Sequence, residues 1–377
     1  MAMLQIAACA TPPQQEAMPE ATPAPVVTPA PVPPPAPTKS AMRISIAAVG
    51  DMMLGTDYPE NHLPDDDGVS FLAEVTPFLS SADITFGNLE GVLVDGGTPG
   101  KACSNPSACF LFRSPTRYAK HYRAAGFDVL SLANNHARDF DEDGRTSSMV
   151  AIANAGMNHS GRVDDFASIA RNDLRVAFLA YAVTKNSNLM LDYELAFETV
   201  ARFADSHDIV VVSFHGGAEG VDAARIPFAE EEYYEEPRGD VVWFARGVVD
   251  AGANRVIGHG PHVVRGIERY NDRLIAYSLG NFATYYGISV AGIKGIAPIL
   301  SVTLDGDGVF VAGEIISTVQ IRPAGPSIDA EQRALKLIRS LSIRDFGEPG
   351  VQFLPDGRLL PVPRPPVTPH VLELGGQ

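Results

Sequence analysis

The feature that most constrains the fold of this chain is a recurring pair: an apolar, strand-like run followed directly by a polar cluster. Such runs cover residues 44–49, 83–86, 127–132, 209–214 and 255–257. In an open α/β sheet, ligands bind in the crevice formed by loops at the carboxyl ends of the strands. The repeated pattern therefore predicts a site at one edge of a sheet. The clusters are Gly50-Asp51, Gly87-Asn88-Leu89-Glu90, Ala133-Asn134-Asn135-His136, His215-Gly216-Gly217 and Gly258-His259-Gly260-Pro261-His262.

Helical stretches alternate with these runs, at residues 69–79, 115–125, 144–155, 195–204 and 240–251, and a further strand is predicted at 174–180. Alternation at this spacing is typical of βαβ units and a largely parallel sheet. After residue 257 the pattern changes to hairpins. Strands at 263–269 and 274–278, and at 299–304 and 309–321, predict a second, antiparallel-rich sheet. A helix is predicted at 329–340, and the Pro- and Gly-rich stretch 347–377 is expected to run loosely over the surface.

Composition limits the possible functions. The chain has 377 residues with 45% hydrophobic composition, enough for a sizeable core. Its formal net charge of −16 argues against nucleic-acid binding, which needs a basic face. The same charge repels an anionic polymer at long range, so an acidic substrate would need bound metal ions or a local basic patch.

The N-terminal residues indicate export. Residues 1–9 are interpreted as a truncated signal segment, and Ile6-Ala7-Ala8-Cys9 is similar to the lipobox of bacterial lipoproteins, in which the cysteine is acylated. The alternative is an accidental match, because small residues before a single cysteine are common. Residues 10–42 are rich in Pro and Ala and predict an extended linker. Together these features predict a cell-envelope lipoprotein facing the periplasm or exterior, attached to the membrane only through its N-terminal lipid.

Cys103 and Cys109 are separated by five residues that include Asn105 and Pro106. In an oxidising compartment this spacing favours a local disulfide, whereas in the cytosol the two would be free thiols. The spacing differs from a C-x-x-C zinc motif, so no metal is assigned to this pair.

Six motifs occur in an order that resembles the CapA family of bacterial poly-γ-glutamate capsule synthesis proteins, which is itself similar to calcineurin-like metallophosphoesterases. The resemblance covers about residues 43–322 and implies an α/β fold, a four-layer α-β-β-α sandwich, followed by a C-terminal helix and Pro-rich tail at 323–377. The motifs are Gly50-Asp51-Met52-Met53-Leu54-Gly55, Asn88-Leu89-Glu90-Gly91, Ala133-Asn134-Asn135-His136, His215-Gly216 with Glu219, Gly258-His259-Gly260-Pro261-His262 and Tyr277-Ser278-Leu279-Gly280-Asn281-Phe282.

Carboxylates, imidazoles and an amide oxygen form a mixed donor set that suits one or two divalent transition ions, Mn²⁺, Fe²⁺ or Zn²⁺. By resemblance, His136 would protonate a leaving group, Glu219 would order His215, and Asp139 would orient Asn135 or His136 or cap the next helix. Substrate contacts are predicted for Arg113, Asn88 and Asn281. The predicted ligands are Asp51, Glu90, Asn135, His215, His259 and His262.

Two departures from the phosphoesterase pattern keep several functions open. Met53 stands where those enzymes usually place a histidine, and the Gly-His-x-x-His spacing at 258–262 is one residue longer than usual. The first hypothesis is a metal-dependent phosphoesterase-like hydrolase of the capsule or poly-γ-glutamate pathway. The second is a non-hydrolytic accessory that binds an anionic polymer beside envelope synthesis or export machinery. The third is a metal-dependent γ-glutamyl amide hydrolase. The Glu-rich run 230–236 is interpreted as a solvated helix face or loop.

Overall fold

The computed structural model describes residue 14, residues 38–100 and residues 110–363. Cys9, Cys103 and Cys109 lie outside these residues, as does most of the predicted linker. The helices are α1 (Thr76–Leu79), α2 (Ala119–Ala124), α3 (Asp141–Asn154), α4 (Tyr193–Ala204), α5 (Val241–Asp250) and α6 (Arg333–Phe346). The strands are β1 (Arg43–Met53), β2 (Ile84–Leu89), β3 (Val92–Leu93), β4 (Arg113–Ser114), β5 (Val129–Ser131), β6 (Asn158–Ser160), β7 (Ala167–Arg171), β8 (Leu174–Ala182), β9 (Ile209–His215), β10 (Glu231–Tyr233), β11 (Glu236–Gly239), β12 (Arg255–His259), β13 (Ile267–Tyr270), β14 (Arg273–Ala276), β15 (Asn281–Thr284), β16 (Ile296–Asp305), β17 (Phe310–Gln320), β18 (Pro326–Ile328), β19 (Val351–Phe353) and β20 (Arg358–Pro361).

Two large sheets organise the described residues. The first has the order β19-β20-β17-β16-β1-β2-β5-β6, with β15 also paired to β1 and β18 to β17. The second has the order β13-β14-β12-β9-β8-β7. In the first sheet β1, β2, β5 and β6 run parallel, and in the second β8, β9, β12 and β14 do so. The parallel strands therefore end at one edge in each sheet, where the sequence places its polar clusters.

Side-chain alternation along the strands produces the layers. Ile44 and Ile46 of β1 belong to the same buried cluster as Ile209 and Val211 of β9, so this cluster lies between the two sheets. The intervening residue Ala47 packs instead with residues of α1, α2 and α3. Alternate residues of β9 pack with α4 and α5 in the same way. The predicted α/β fold with two sheets and helices outside each is confirmed.

The strand pairing corrects one prediction. The predicted second sheet was to contain all the hairpins after residue 257. The β16–β17 hairpin instead pairs with β1 in the first sheet, and β12, β13 and β14 complete the second sheet. Apolar periodicity specifies which residues of a strand are buried, but partner choice depends on contacts far apart in sequence.

Two other local predictions were wrong. Within residues 69–79, only Thr76–Leu79 is α-helical, and turns occupy the stretch before it. Residues 351–361, expected to run loosely over the surface, form β19 and β20, and β20 pairs with β17. Leu359 is fully buried in the central cluster, so burial of this side chain outweighs the irregular composition of the segment.

Arg255 joins the two sheets inside the core. This residue begins β12 and is 1% exposed. Its guanidinium donates hydrogen bonds to the carbonyl oxygens of Ile46 in β1 and Leu300 in β16. Burial lowers the pKa of Arg255 to about 9. Because the two acceptors belong to the opposite sheet, this side chain fixes the relative position of the layers.

Among residues 38–100 and 110–363, no helix is both long and apolar enough to cross a bilayer.

Candidate metal centre

Three strands bring polar side chains together at the carboxyl end of β1. In the parallel ladders Asp51 pairs with Asn88 of β2 on one side and with Asn281 of β15 on the other. The first part of β1 pairs with β16, and only its last residues pair with β15. This change of partner at the end of β1 places Asn281 beside Asp51.

Gly50 permits this change of partner. The amide of Asp51 donates to the carbonyl oxygen of Gly280 at 2.8 Å. A Cβ atom at position 50 would lie only 1.9 Å from that same oxygen. Any side chain at position 50 would therefore separate β1 from the segment that leads into β15.

Asp51, Glu90 and His262 form a buried cluster at this edge. His262 Nδ1 lies 3.1 Å from Asp51 Oδ2, and His262 Nε2 lies 3.6 Å from Glu90 Oε1. One ligand-type atom from each of the three residues lies within 4.8 Å of the others. The three residues could hold a metal ion.

The carboxylate of Glu90 has no hydrogen-bonding partner within the described part of the chain, although both of its oxygens are buried. Burial, followed by the negative charge of Asp51, raises the pKa of Glu90 well above its ordinary value. A buried carboxylate without a donor is costly unless a cation compensates it. Glu90 therefore fits a metal-ligand position.

His262 carries the compensating charge in the absence of an ion. Burial acts to lower its pKa, but the carboxylates of Glu90, Asp51 and Glu219 outweigh this effect and raise the pKa to about 10. Burial likewise acts to raise the pKa of Asp51, yet the hydrogen bond and positive charge of His262 hold it well below its ordinary value. The cluster thus combines carboxylates with one cationic imidazole.

A hydrogen bond to Asn281 fixes the orientation of the His262 ring. Nδ1 lies 3.0 Å from Asn281 Oδ1 as well as near Asp51, so its N–H donates to this pair of oxygens. The Asn281 amide group donates in turn to the carbonyl oxygens of Ser289 and Lys294. His262 itself has φ of 58°, a left-handed conformation that costs a non-glycine residue about 1–2 kcal/mol. Asn281 thus orients a predicted ligand, and its predicted contact with substrate stays a prediction.

Glu219 and Arg238 flank the cluster. Glu219 Oε2 lies 3.7 Å from His262 Nε2, and its other oxygen pairs with Arg238 Nη2 at 3.1 Å. The sequence prediction assigned Glu219 to His215, whereas the contacts in the structure are with His262 and Arg238. Arg238 is only 2% exposed, and sequence reasoning missed it because it follows the Glu-rich run 230–236.

That Glu-rich run is not a solvated face throughout. It contains the β10–β11 hairpin, and Glu231 is buried against Arg265, with Nη2 2.7 Å from Oε2. The interpretation as a solvated helix face or loop was therefore wrong for Glu231.

His215 and His259 are paired across β9 and β12 but have different environments. Neither ring nitrogen of His215 has a hydrogen-bond partner among the described residues, and the ring centre lies 6.5 Å from that of His262. Burial lowers the pKa of His215 well below its ordinary value, so the ring is neutral and able to ligate. His259 Nε2 instead donates to the carbonyl oxygen of Val49 at 3.1 Å, and Nδ1 lies 3.4 Å from Ser213 Oγ. His259, a predicted ligand, here joins the two sheets.

Asn134, rather than its neighbour, connects the cluster to the β5 loop. The Asn134 amide donates to Asn88 Oδ1 at 3.0 Å and to the carbonyl oxygen of Leu89 at 2.9 Å. Asn88 in turn donates to Asp51 Oδ1 at 2.9 Å, so it positions a carboxylate. Asn135 is half-buried, and its predicted role as a ligand stays a prediction. The sequence alone could not show which of the adjacent residues Asn134 and Asn135 faces the interior.

His136 and Asp139 form a buried pair next to this network. His136 Nδ1 lies 2.8 Å from Asp139 Oδ2, which also accepts the amide N–H of Phe112 at 2.7 Å. The backbone N–H of His136 donates to Asn134 Oδ1 at 3.0 Å. Asp139 thus contacts His136, one of the two residues it was expected to orient.

Arg113 and Met53 both take part in local packing. Arg113 Nε pairs with Asp57 Oδ1 at 2.5 Å, and its guanidinium lies over the rings of Tyr58 and Phe140. The predicted contact of Arg113 with an anionic substrate group stays a prediction. Met53 is 1% exposed and packs with Phe112 and Ile288. The side chain that replaces the usual phosphoesterase histidine therefore belongs to a small apolar cluster.

Comparison with known proteins identifies relatives of this chain. The family described as "Bacterial capsule synthesis protein PGA_cap" matches residues 45–286. "Capsule biosynthesis protein CapA" of Bacillus anthracis is 28% identical over 263 residues, covering 64% of this chain and 59% of that protein. "PGA biosynthesis protein CapA" of Bacillus subtilis is 29% identical over 256 residues, covering 63% of each chain. This chain spans less than two thirds of the length of either relative.

Solved structures also resemble it. A putative 5'-nucleotidase from Staphylococcus aureus in complex with alpha-ketoglutarate aligns with a TM-score of 0.44 and 12% identity, covering 79% of this chain and 58% of that one.

Proposed function

Because this chain belongs to the bacterial capsule synthesis protein PGA_cap family, we propose that it is a metal-dependent hydrolase acting in capsule or poly-γ-glutamate biosynthesis. The names of its Bacillus relatives support the pathway, and the buried cluster supports the chemistry. The substrate class we propose is a phosphoester, or an anionic polymer carrying one. The third hypothesis, cleavage of γ-glutamyl amides, uses the same centre.

The observation that carries the proposal is the buried carboxylate of Glu90, which accepts no hydrogen bond from the described residues and lies beside Asp51 and His262. Carboxylate oxygens with imidazole nitrogens suit Mn²⁺, Fe²⁺ or Zn²⁺. The neutral imidazole of His215 has no hydrogen-bond partner among the described residues, and its ring centre lies 6.5 Å from that of His262, so it offers a further nitrogen ligand. Both groups are buried polar atoms that a cation would satisfy.

Each residue then has a distinct task. A divalent ion held by Asp51, Glu90 and His262 would supply Lewis acidity to an anionic substrate. Asn88 fixes the orientation of Asp51, and Asn281 fixes that of His262. The Nδ1–H of His136 donates a hydrogen bond to Asp139, so in the imidazolium form the Nε2–H is the group that would pass a proton to a leaving oxygen. Asp139 would stabilise the imidazolium form of that ring.

A second candidate function, a non-hydrolytic accessory that binds a polymer, is favoured by one observation. Met53 packs against Phe112 and Ile288 at the position where phosphoesterases carry a ligand, and His259 is hydrogen-bonded to Val49. Fewer ligands than a two-ion centre requires would suit binding better than in-line displacement.

We also propose the cell envelope as the location, with attachment through Cys9 and the linker 10–42, and synthesis or export machinery as the partner. The support is compositional: the lipobox-like residues, the Pro-rich segment and the absence of the basic charge that nucleic-acid binding needs.

The test is metal content, measured by mass spectrometry on the full chain purified without a polyhistidine tag. It is followed by assays on phosphomonoesters, phosphodiesters and poly-γ-glutamate. We expect at least one transition ion per chain, with its loss in Asp51→Asn, and hydrolysis that falls at least 100-fold in His136→Ala. A chain that holds metal but cleaves none of these substrates would favour the accessory function. A chain that takes up no Mn²⁺, Fe²⁺ or Zn²⁺ would overturn the hydrolase.

A further inference from the structure

A cavity of about 190 Å³ opens between the loop after β5 and the loop after β8. It is large enough for several water molecules, and therefore for a carboxylate or phosphate group. Its polar lining residues include Asn134, Asn135, Arg138, Thr184, Lys185 and Ser187, and among the described residues Asp141 is the one acid in the lining.

Hydrogen bonds link the walls of the cavity to the candidate metal centre. On one wall, Asn134 donates to Asn88, which donates to Asp51. On the other wall, the residue before Thr184 donates its backbone N–H to the carbonyl oxygen of His215 at 3.3 Å. The cavity thus lies at the same carboxyl edge of the sheets, and hydrogen bonds link its walls to both halves of the centre.

The two walls are held together by hydrogen bonds. Thr184 Oγ1 lies 3.4 Å from the carbonyl oxygen of Asn134, and Arg145 of α3 donates to the carbonyl oxygen of Asn186 at 2.6 Å. Arg145 is only 2% exposed, so its side chain is fixed in this position. Because hydrogen bonds hold the two loops in place, the residues that line the cavity are preorganised for a ligand.

The charges around the cavity differ from those of the chain as a whole. The guanidinium of Arg138 forms ion pairs with two partly exposed acids, Glu142 at 3.3 Å and Asp141 at 3.9 Å, so its charge is already neutralised. Lys185 is exposed and has no carboxylate within 4.0 Å in residues 38–100 and 110–363. In a chain with a net charge of −16, an ammonium group that no described carboxylate neutralises is a local basic site.

We propose that this cavity is the subsite for an anionic group of the substrate, a carboxylate or a phosphate, next to the group that reacts at the metal centre. Lys185 supplies the charge, and the Asn135 and Ser187 side chains supply polar contacts. The inference rests on the proposed function and extends it, because it explains how an acidic chain can retain an acidic polymer.

The experiment is calorimetric titration of the full chain with two probes, a γ-glutamyl oligomer and inorganic phosphate. Lys185→Glu is compared with Lys336→Glu, which makes the same charge change on an exposed residue of α6. Metal content is measured in every sample. We expect Lys185→Glu to weaken binding at least tenfold, Lys336→Glu to weaken it less than twofold, and Lys185→Arg to retain it.

Binding of the oligomer alone would support a carboxylate subsite, and binding of phosphate alone a phosphate subsite. Equal losses in both glutamate variants would reveal a general charge effect and overturn the subsite, as would failure of the wild-type chain to bind either probe. Loss of binding in Lys185→Glu at unchanged metal content would support it. Absence of metal from the wild-type chain would refute the metal-dependent hydrolase while leaving the dependence of anion binding on Lys185 as a separate result.

Discussion

His262 Nδ1 lies 3.1 Å from Asp51 Oδ2, although 211 residues separate these two residues in the chain. Asp51 lies near the carboxyl end of β1 in the first sheet, and His262 follows β12 in the second. The cluster with Glu90 is therefore complete only when the two sheets have packed together. Four variants test the geometry of this centre and the fold around it.

Glu90→Gln should abolish metal uptake and stabilise the metal-free protein. The carboxylate is fully buried, and no described residue donates a hydrogen bond to it. The positive charge of His262 offsets only part of the burial cost, because the pKa of Glu90 is still raised well above its ordinary value, so replacing the carboxylate with an amide should remove a cost of about 1–3 kcal/mol. Metal content and thermal unfolding with chelator present are the measurements. Glu314→Gln, at an exposed position of β17, is the control. A metal-free Glu90→Gln protein less stable than wild type would mean that Glu90 is compensated by another group.

Asn134→Ala should be more damaging than Asn135→Ala. The Asn134 side chain makes hydrogen bonds to Asn88, Leu89 and His136 and is 2% exposed. Truncation leaves several buried groups unpaired and should lower the free energy of unfolding by about 2–3 kcal/mol. We expect less than about 1 kcal/mol for half-buried Asn135. Urea unfolding measures both, and equal losses would show that Asn134 is not the structural connection. Metal content of the Asn135 variant tests its predicted role as a ligand.

Gly50→Ala should disrupt the centre by backbone displacement. The new Cβ would lie 1.9 Å from the carbonyl oxygen of Gly280, so β1 and the start of β15 must separate. We expect a loss of about 3 kcal/mol or more, with reduced metal uptake. Gly156→Ala is the control, because its φ of 80° imposes backbone strain of about 1 kcal/mol in open space. Similar losses in the two variants would contradict the role of close approach at Gly50.

Asp83→Asn should weaken the fold at neutral pH but not in acid. Burial acts to raise the pKa of Asp83, yet hydrogen bonds from Ser45 and Asn172 and the charge of Arg171 hold it below its ordinary value of 3.8. A carboxyl group with a depressed folded pKa stabilises the protein above its unfolded pKa, and this contribution is lost as pH falls through the folded value.

The difference in unfolding free energy between wild type and Asp83→Asn should therefore be about 1–2 kcal/mol at pH 7 and shrink below about pH 4. Chemical denaturation across this range measures it. Asp173→Asn, in the exposed turn before β8, controls for loss of a surface charge. A difference that stays constant down to pH 2 would rule out the ionised carboxylate as the cause.

The sequence was informative where a rule of sheet geometry applied. Strands that run parallel end at a common edge, and this places Asp51, Glu90, His215 and His262 together from pattern alone. The rule does not give side-chain direction. His259 occupies an equivalent strand end, but its ring donates to Val49 of the opposite sheet.

Long-range packing determined what the sequence did not indicate. Arg238 follows a run of glutamates, and only the folded hairpin buries it beside Glu219. The β16–β17 hairpin has the same periodicity in either sheet, and its pairing with β1 depends on the interior formed by both. Asn281 could be assigned to His262 only once β15 was known to pair with β1.

Arg255 and His259, the first and last residues of β12, both donate hydrogen bonds across the interior, to Ile46 and Val49 of β1. Two attachment points on one strand prevent the layers from either sliding or pivoting against each other. The two sheets therefore resist sliding against each other, and larger motions should be confined to the loops at the rim. Amide hydrogen exchange should accordingly be slowest along β1 and β12 and fastest in the loops after β5 and β8.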